Sequence, residues 1–133
     1  MDKLSVDAKV ENLYKITDFM EEKLEAIGFS PEHITSICIA IEEVYVNIAS
    51  YAYKGESGKV DVEVDNNDSS VKIKFIDSGT RYNPLEKADP DINLSPEERD
   101  VGGLGIFMIK NIMDEVLYEY KDNQNIFTLV KHF

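Results

Sequence analysis

The clearest structural signal in the chain is an alternation of apolar and charged side chains in VDVEVDNNDSSVKIKF, residues 60–75. Apolar residues occupy every second position on both sides of the polar run 65–68, a pattern typical of two strands joined by a turn. We therefore expect an antiparallel hairpin with one face buried and the other in water. Acidic residues of the first strand and lysines of the second are expected to pair across the wet face.

Two helices are predicted upstream of this hairpin. Apolar residues recur at intervals of three and four across residues 8–27, and Gly28 stands where a helix usually stops. Ser30 is the expected N-cap of a second, long helix over residues 31–53, which has proline at its first position. Residues 4–6 are short and β-like, which predicts an edge strand before the helices.

A non-periodic segment, a third helix and two more strands are predicted downstream. A stretch as long as residues 78–101 without a sustained period is unusual inside a compact domain and is often functional. The elements after it are a glycine-rich run at 102–105, a helix at about 106–113, and strands at about 116–120 and 126–131 joined by the polar run 121–125. This order predicts one α/β (α+β) domain over residues 1–133, a two-layer sandwich with helices on one face of a largely antiparallel mixed sheet.

Charge and cysteine content exclude several classes of protein. The 133 residues include 14 lysines and arginines against 26 acidic residues, a net charge of −12. So acidic a chain is poorly suited to neutralising nucleic-acid phosphates or to binding an anionic membrane surface. Its single cysteine, Cys38, cannot form an internal disulfide, and no stretch approaches ~18 uncharged apolar residues or looks like a signal peptide. We expect a cytoplasmic protein that binds neither nucleic acid nor membrane.

Three polar features interrupt the core pattern, and the first is Glu43 with Asn47 on the second helix. Because they are four residues apart, they share one face of the helix, about one turn from each other. This face is either an ordinary solvated side or a place where a carboxylate and an amide oxygen hold a hard cation such as Mg²⁺.

The other two features follow the hairpin. Asp77-Ser78-Gly79 ends a strand and is either a simple turn or a carboxylate at the floor of a pocket, with Gly79 allowing a flat ligand to come close. Gly102-Gly103-Leu104-Gly105 opens a helix and is either a hinge or an anion cradle made of backbone N–H groups at the positive helix end.

Three better-known motifs do not fit these residues. The glycine run is not a Walker loop, because no Gly-Lys-Ser/Thr follows it, and it is not a dinucleotide fingerprint, because Met108 stands where the third glycine belongs. Polar residues between 89 and 100 have the spacing of a calcium loop, but Leu94 replaces the glycine that its sharp turn needs. Calcium binding is therefore not expected.

Taken in order, the three features resemble the GHKL superfamily of ATP-binding domains of histidine kinases, gyrase-type topoisomerases and heat-shock chaperones. The chain is more similar still to the bacterial branch of anti-sigma-factor serine/threonine kinases, over essentially its whole length. The similarity lies in IEEVYVNI at 41–48, DSGTRYNPL at 77–85 and GGLGIFMIK at 102–110, with further likeness at 113–116 and 128–131.

The resemblance implies roles on the two sides of a nucleotide. Asn47 would coordinate Mg²⁺ that bridges the ATP phosphates, and Glu43 would be the general base or would orient the attacking hydroxyl. Asp77 would accept a hydrogen bond from the adenine amino group, and Gly79 would leave room for the base. Phosphoryl transfer depends mainly on positioning and charge neutralisation, so these parts make chemical sense.

The resemblance also implies a phosphate cradle and a lid. The residues of the glycine run that would cradle the phosphates are Gly102, Gly103, Leu104 and Gly105. A lid over about residues 80–102 would close over the nucleotide, and both arginines of the chain, Arg81 and Arg99, lie in it and are expected to bind the phosphates.

The implied activity is that of an ATP-dependent serine/threonine protein kinase that regulates transcription in bacterial partner switching. Such a kinase phosphorylates a small antagonist protein, alternately holds a sigma factor or another regulator, and forms homodimers. Two departures stand out: Tyr51 replaces a histidine common in relatives, and Asp100-Val101 precedes the glycines where a basic residue is common. The alternative function is a non-catalytic, nucleotide-gated protein-binding module.

Overall fold

A computed structural model describes residues 1–54, 56–86 and 103–133 of the chain. Most of the predicted lid, residues 87–102, lies outside this part. The described elements, in chain order, are β1 (Asp2–Asp7), a 3₁₀ turn (Val10–Asn12), α1 (Leu13–Ile27), α2 (Pro31–Tyr51), β2 (Lys59–Asn66), β3 (Ser70–Asp77), a second 3₁₀ turn (Pro84–Glu86), α3 (Gly103–Ile112), β4 (Glu115–Lys121) and β5 (Gln124–His132).

The five strands form one sheet in the order β1-β2-β3-β5-β4. The predicted hairpin is β2 with β3, in which Val62 lies opposite Phe75. The predicted two-layer fold is confirmed, and the sheet is more regular than expected, since each of its four strand pairings is antiparallel. β3 lies in the middle, and its last residue, Asp77, is paired with Asn125 of β5.

The core lies between one face of this sheet and the helices. Along β2 and β3 every second side chain is buried, which confirms the alternation predicted from the sequence. Helices α1 and α2 contribute fully buried residues at helical spacing to the same core, among them Ile16, Met20, Ile37 and Ile41. This burial of apolar surface is the main force holding the helices against the sheet.

The helix ends follow local chemistry. Gly28 ends α1 with φ of +111°, a conformation that glycine adopts without a steric penalty. Ser30 caps α2, since its hydroxyl accepts a hydrogen bond from the backbone N–H of His33 at 3.3 Å. Helix α2 ends at Tyr51, before the predicted Tyr53. Beyond this end, the Tyr53 hydroxyl connects β2 with the residue after β3: it accepts from the backbone N–H of Ser78 at 2.9 Å and donates to the Lys59 carbonyl at 2.5 Å.

Helix α2 is long and apolar enough, by length and composition alone, to cross a membrane. Its apolar stripe is used in the core, where Ile37, Ala40 and Ile41 are fully buried. Cys38 is half-buried beside this stripe, and burial, with the carboxylates of Glu21 and Glu42, raises the pKa of its thiol to about 11. The thiol is therefore protonated near neutral pH, as expected of a packing residue.

Candidate functional site

A cavity of about 550 Å³ opens between the C-terminal half of α2, the segment that follows β3, the middle of β4 and the start of β5. Its walls are mostly apolar, and Val44, Ile48 and Phe127 are among them. The predicted site residues among its lining residues are Asn47, Asp77 and Arg81. A largely apolar cavity with a few convergent polar groups is the usual form of a small-molecule site.

Asp77 lies at the floor of this cavity, where β3 ends. It is only 5% exposed, and its Oδ1 accepts hydrogen bonds from the backbone N–H of Gly79 at 2.9 Å and from Asn125 Nδ2 at 3.0 Å. Among the described residues no donor reaches Oδ2. Burial raises the pKa of Asp77 above its ordinary value, while the two hydrogen bonds act in the opposite direction. The carboxylate thus keeps one oxygen available for a donor on a ligand.

Asn125 holds this carboxylate through a side chain that is itself 6% exposed. Its amide nitrogen also donates to the carbonyl of Thr80 at 3.0 Å. Its amide oxygen accepts from the Tyr118 hydroxyl at 2.6 Å and from the backbone N–H of Tyr82 at 3.2 Å. The amide therefore connects Asp77, strand β4 and the segment after β3.

The position of Gly79 is explained by packing against the end of α2. A Cβ atom on Gly79 would lie 2.3 Å from the carbonyl oxygen of Ala52, and that same oxygen accepts a hydrogen bond from the N–H of Thr80 at 2.7 Å. Gly79 is not among the residues that line the cavity. The predicted role of leaving room for a flat ligand stays a prediction, and the close approach to Ala52 is a separate reason for glycine.

Glu43 and Gly105 meet beside the cavity. A Cβ atom on Gly105 would lie 2.7 Å from Glu43 Oε2, so the carboxylate packs against the first turn of α3. Their chain neighbours Val44 and Ile106 line the cavity, and Asn47 lies one turn of α2 further along its wall. The structure therefore brings together parts of the two features that the sequence placed 62 positions apart, between residues 43 and 105. Gly103 and Leu104 belong to the first turn of α3, which starts three residues earlier than predicted.

Two cations lie at the rim of the cavity. The Arg81 guanidinium stacks over the Tyr120 ring, 4.9 Å from its centroid, next to the Asp77 and Asn125 end of the cavity. Lys54 also lines the cavity and has an unusual left-handed backbone with φ of +47°. The other two predicted contacts, Arg99 and Gly102, lie outside the described residues.

The sequence interpretation missed Asn125, Tyr118 and Lys54. Asn125 was assigned to the turn between the last two strands, but it is the second residue of β5. The turn itself is Asp122-Asn123, with φ of +54° and +62°. A run of polar residues contains no signal that separates its buried member from its exposed ones, so only the pairing with Asp77 identifies Asn125.

The protein oxygens of the described site suit a hard cation whose other ligands are oxygens of phosphate and water. Within residues 1–54, 56–86 and 103–133 no group of three or more His, Cys, Asp or Glu could hold a metal ion. Asn47 supplies an amide oxygen at the wall of the cavity. One protein oxygen, with phosphate and water oxygens completing the shell, is a normal arrangement for Mg²⁺.

Comparison with known proteins identifies the family of the chain. A model of the histidine kinase-like ATPase domain family matches residues 6–131. A serine-protein kinase RsbW of Listeria monocytogenes serovar 1/2a is 31% identical over 104 residues, which are 74% of this chain and 66%, just under two thirds, of that protein. A serine-protein kinase RsbW of Bacillus cereus strain ATCC 10987 is 27% identical over 127 residues, 92% of this chain and 79% of that protein.

A solved structure with the same fold is also known. The crystal structure of the RsbU and RsbW domains of a Mycobacterium tuberculosis protein superposes with a TM-score of 0.64 at 18% identity. The match covers 98% of this chain and 32% of that one.

Proposed function

The chain belongs to the histidine kinase-like ATPase domain family, and on that basis we propose that it is an ATP-dependent protein kinase. In this proposal it binds Mg-ATP and transfers the γ-phosphoryl group to a serine of a small antagonist protein in the bacterial cytoplasm. It alternately holds a sigma factor or another regulator. Relatives named serine-protein kinase RsbW support this choice within the family.

The observation that carries the proposal is the shared cavity of Asp77 and Asn47. At one end of this cavity Asp77 has Oδ2 without a donor among the described residues, which suits the amino group of adenine. On the wall Asn47 supplies an oxygen of the kind that Mg²⁺ prefers. The N-terminal turn of α3 lies beside the same cavity, which Ile106 lines, and the backbone N–H groups of a helix N-terminus suit an anion. Base, metal and phosphates therefore each have a suitable group.

The mechanism assigns one step to each of these groups. Asp77 binds the base, and the first turn of α3 orients the phosphates. Asn47 would hold Mg²⁺, which when bound would neutralise part of the charge on the phosphates. Glu43, one turn before Asn47 and packed against Gly105, accepts the proton of the serine hydroxyl at its carboxylate as that oxygen attacks phosphorus. The proton leaves the hydroxyl, the new bond between the serine oxygen and the γ-phosphorus forms, and the bond from that phosphorus to the oxygen of ADP breaks as ADP departs.

The test separates nucleotide binding from phosphoryl transfer. Binding of Mg-ATP and Mg-ADP is measured by calorimetry for the wild type, Glu43→Gln and Asp77→Asn. Transfer is measured with γ-labelled ATP and the partner protein that co-purifies with the chain, followed by mass spectrometry for phosphoserine. Glu43→Gln keeps the size of the side chain and removes its basicity, so it is the matched control for catalysis.

The expected result is phosphoserine with the wild type, little transfer with Glu43→Gln despite retained ATP binding, and weak ATP binding with Asp77→Asn. Absence of ATP binding by the wild type would overturn the proposal. ATP binding together with an unmodified partner, released or captured according to nucleotide, would instead establish the non-catalytic gated module.

A further inference from the structure

We propose that Asn125 is a positioning residue that orients Asp77 for recognition of the base and ties this recognition to the segment after β3. This inference rests on the proposed function, since it concerns the same cavity. The site residues predicted from the sequence did not include Asn125.

Every hydrogen-bonding capacity of the Asn125 amide is used. Its nitrogen donates to Asp77 Oδ1 at 3.0 Å and to the Thr80 carbonyl at 3.0 Å. Its oxygen accepts from the Tyr118 hydroxyl at 2.6 Å and from the Tyr82 N–H at 3.2 Å. A side-chain amide has two donor hydrogens and two acceptor lone pairs, so none is left over.

These partners fix the orientation of the Asn125 amide. Turning it by 180° would place its oxygen against Asp77 Oδ1 and the Thr80 carbonyl, and its nitrogen against the Tyr82 N–H. In a side chain that is 6% exposed, water cannot compensate for such repulsive contacts. Asn125 therefore always presents donors to Asp77.

Asn125 also determines which oxygen of Asp77 remains for a ligand. Asn125 and the Gly79 N–H both bind Oδ1. A carboxylate held twice at one oxygen cannot rotate freely, so Oδ2 keeps a fixed acceptor position toward the cavity. A 6-aminopurine offers a donor there, whereas a 6-oxopurine offers a carbonyl oxygen and is repelled.

The hydrogen bonds of Asn125 also connect the base-binding carboxylate with the chain beyond β3. Asn125 holds Thr80 and Tyr82 through their backbone atoms, and both residues line the cavity. The Asn125 amide therefore links Asp77 to Thr80 and Tyr82 by hydrogen bonds, in addition to the covalent chain and the bond from the Gly79 N–H to Asp77. Tyr118 supports the amide from β4, and burial raises the pKa of its hydroxyl, which keeps it a donor at neutral pH.

The experiment compares the dissociation constants of Mg-ADP and Mg-IDP, which differ in the 6-substituent of the base. The variants are Asn125→Ala, which removes all the contacts, and Tyr118→Phe, which removes one donor and keeps the ring. Asn111→Ala is the matched control, because Asn111 is an exposed asparagine outside the cavity whose amide nitrogen donates to the Phe107 carbonyl of its own helix.

We expect the wild type to bind Mg-ADP more tightly than Mg-IDP. In Asn125→Ala the ratio of the two dissociation constants should fall on the order of tenfold, mostly because ADP binds more weakly. Tyr118→Phe should reduce the preference for ADP about threefold, and Asn111→Ala should leave it unchanged. If Asn125→Ala does not fold, Tyr118→Phe alone decides. If the ratio of the Mg-ADP and Mg-IDP dissociation constants is unchanged in the folded variants, whether or not both ligands bind more weakly, the inference is overturned and the proposed function stays intact. A wild type that binds neither nucleotide would overturn both.

Discussion

The contact between Glu43 and Gly105 shows how one missing methyl group positions a carboxylate. The Cβ atom of an alanine at 105 would lie 2.7 Å from Glu43 Oε2, which is closer than van der Waals contact allows. The neighbour is the tip of a flexible side chain, so the cheapest response is movement of the carboxylate rather than of the backbone. Catalysis by a general base is sensitive to shifts of this size.

Gly105→Ala is therefore expected to reduce the rate of phosphoryl transfer by about tenfold or more and to change nucleotide affinity by less than about threefold. The measurement is kcat and KM for ATP, with Asn111→Ala on the exposed side of α3 as the control. A variant that transfers phosphate at the wild-type rate would show that the Glu43 carboxylate tolerates displacement and would weaken its role as base.

A second residue-scale consequence concerns the stability cost of Asp77. Its pKa is raised by burial in the folded state, so ionising it costs more there than in the unfolded chain. The contribution of Asp77 to the free energy of unfolding is most favourable when the pH is below the ordinary aspartate pKa of 3.8. It declines as the pH rises through the folded-state pKa. The protein tolerates this penalty in exchange for a carboxylate in the cavity.

Asp77→Asn is expected to be at least as stable as the wild type at pH 7 while binding ADP on the order of tenfold more weakly. An asparagine carbonyl can still accept from Gly79 and Asn125, which protects the fold. Urea denaturation between pH 3.5 and 7.5 checks the sign: the free energy of unfolding of the wild type should fall relative to the variant as the pH rises. If the free energy of unfolding of the wild type instead increases relative to that of the variant as the pH rises, this account is contradicted.

At the scale of elements, the site depends on a junction between α2 and β3. Tyr53 holds Ser78 and Lys59, and the Ala52 carbonyl holds Thr80 at 2.7 Å, so the end of the helix and the end of the strand are fastened together. Gly79 allows this contact because it has no Cβ atom. Its neighbour is the backbone carbonyl of Ala52, which cannot move aside at low energetic cost. The junction sets Asp77 and the last turn of α2 on one cavity.

Gly79→Ala is therefore expected to lower the free energy of unfolding by about 1–3 kcal/mol, because the new methyl overlaps the Ala52 carbonyl. It should also weaken nucleotide binding by displacing Asp77. Ser78→Ala changes an exposed side chain in the same turn and should be neutral in both assays. Chemical denaturation and calorimetry measure the two effects, and a Gly79→Ala variant as stable as Ser78→Ala would refute the junction model.

The elements themselves were largely predictable, and the exceptions have a physical cause. The period-two hairpin, the cap at Ser30 and the stop at Gly28 are local signals, and each is confirmed. The start of β5 was placed wrongly, because Asn123 and Asn125 look alike in sequence although one sits in the turn and the other is buried against Asp77. That difference depends on a pairing 48 residues away, which no local pattern encodes. The meeting of Glu43 with Gly105 is likewise a tertiary result.

For the whole molecule, the net charge of −12 opposes the arrival of an anionic nucleotide. The local groups act differently: among the described lining residues of the cavity the cations are Lys54 and Arg81, against one carboxylate, Asp77. Attraction over a few ångströms persists in salt, whereas repulsion over distances beyond a Debye length of ~10 Å at 0.1 M salt is screened. The long-range and short-range fields can therefore be separated by ionic strength.

Raising KCl from about 20 to about 200 mM is expected to increase the association rate constant of Mg-ATP by roughly twofold to fivefold, because it screens the repulsion between like-charged molecules. Stopped-flow measurements with a fluorescent ATP analogue test this, and a matching fluorescent adenosine, which lacks phosphates, serves as the control with no salt dependence expected. A nucleic-acid-binding protein would show the opposite slope. An association rate that falls with salt would mean that the cations at the rim of the cavity, rather than the acidic surface, govern the approach of the nucleotide.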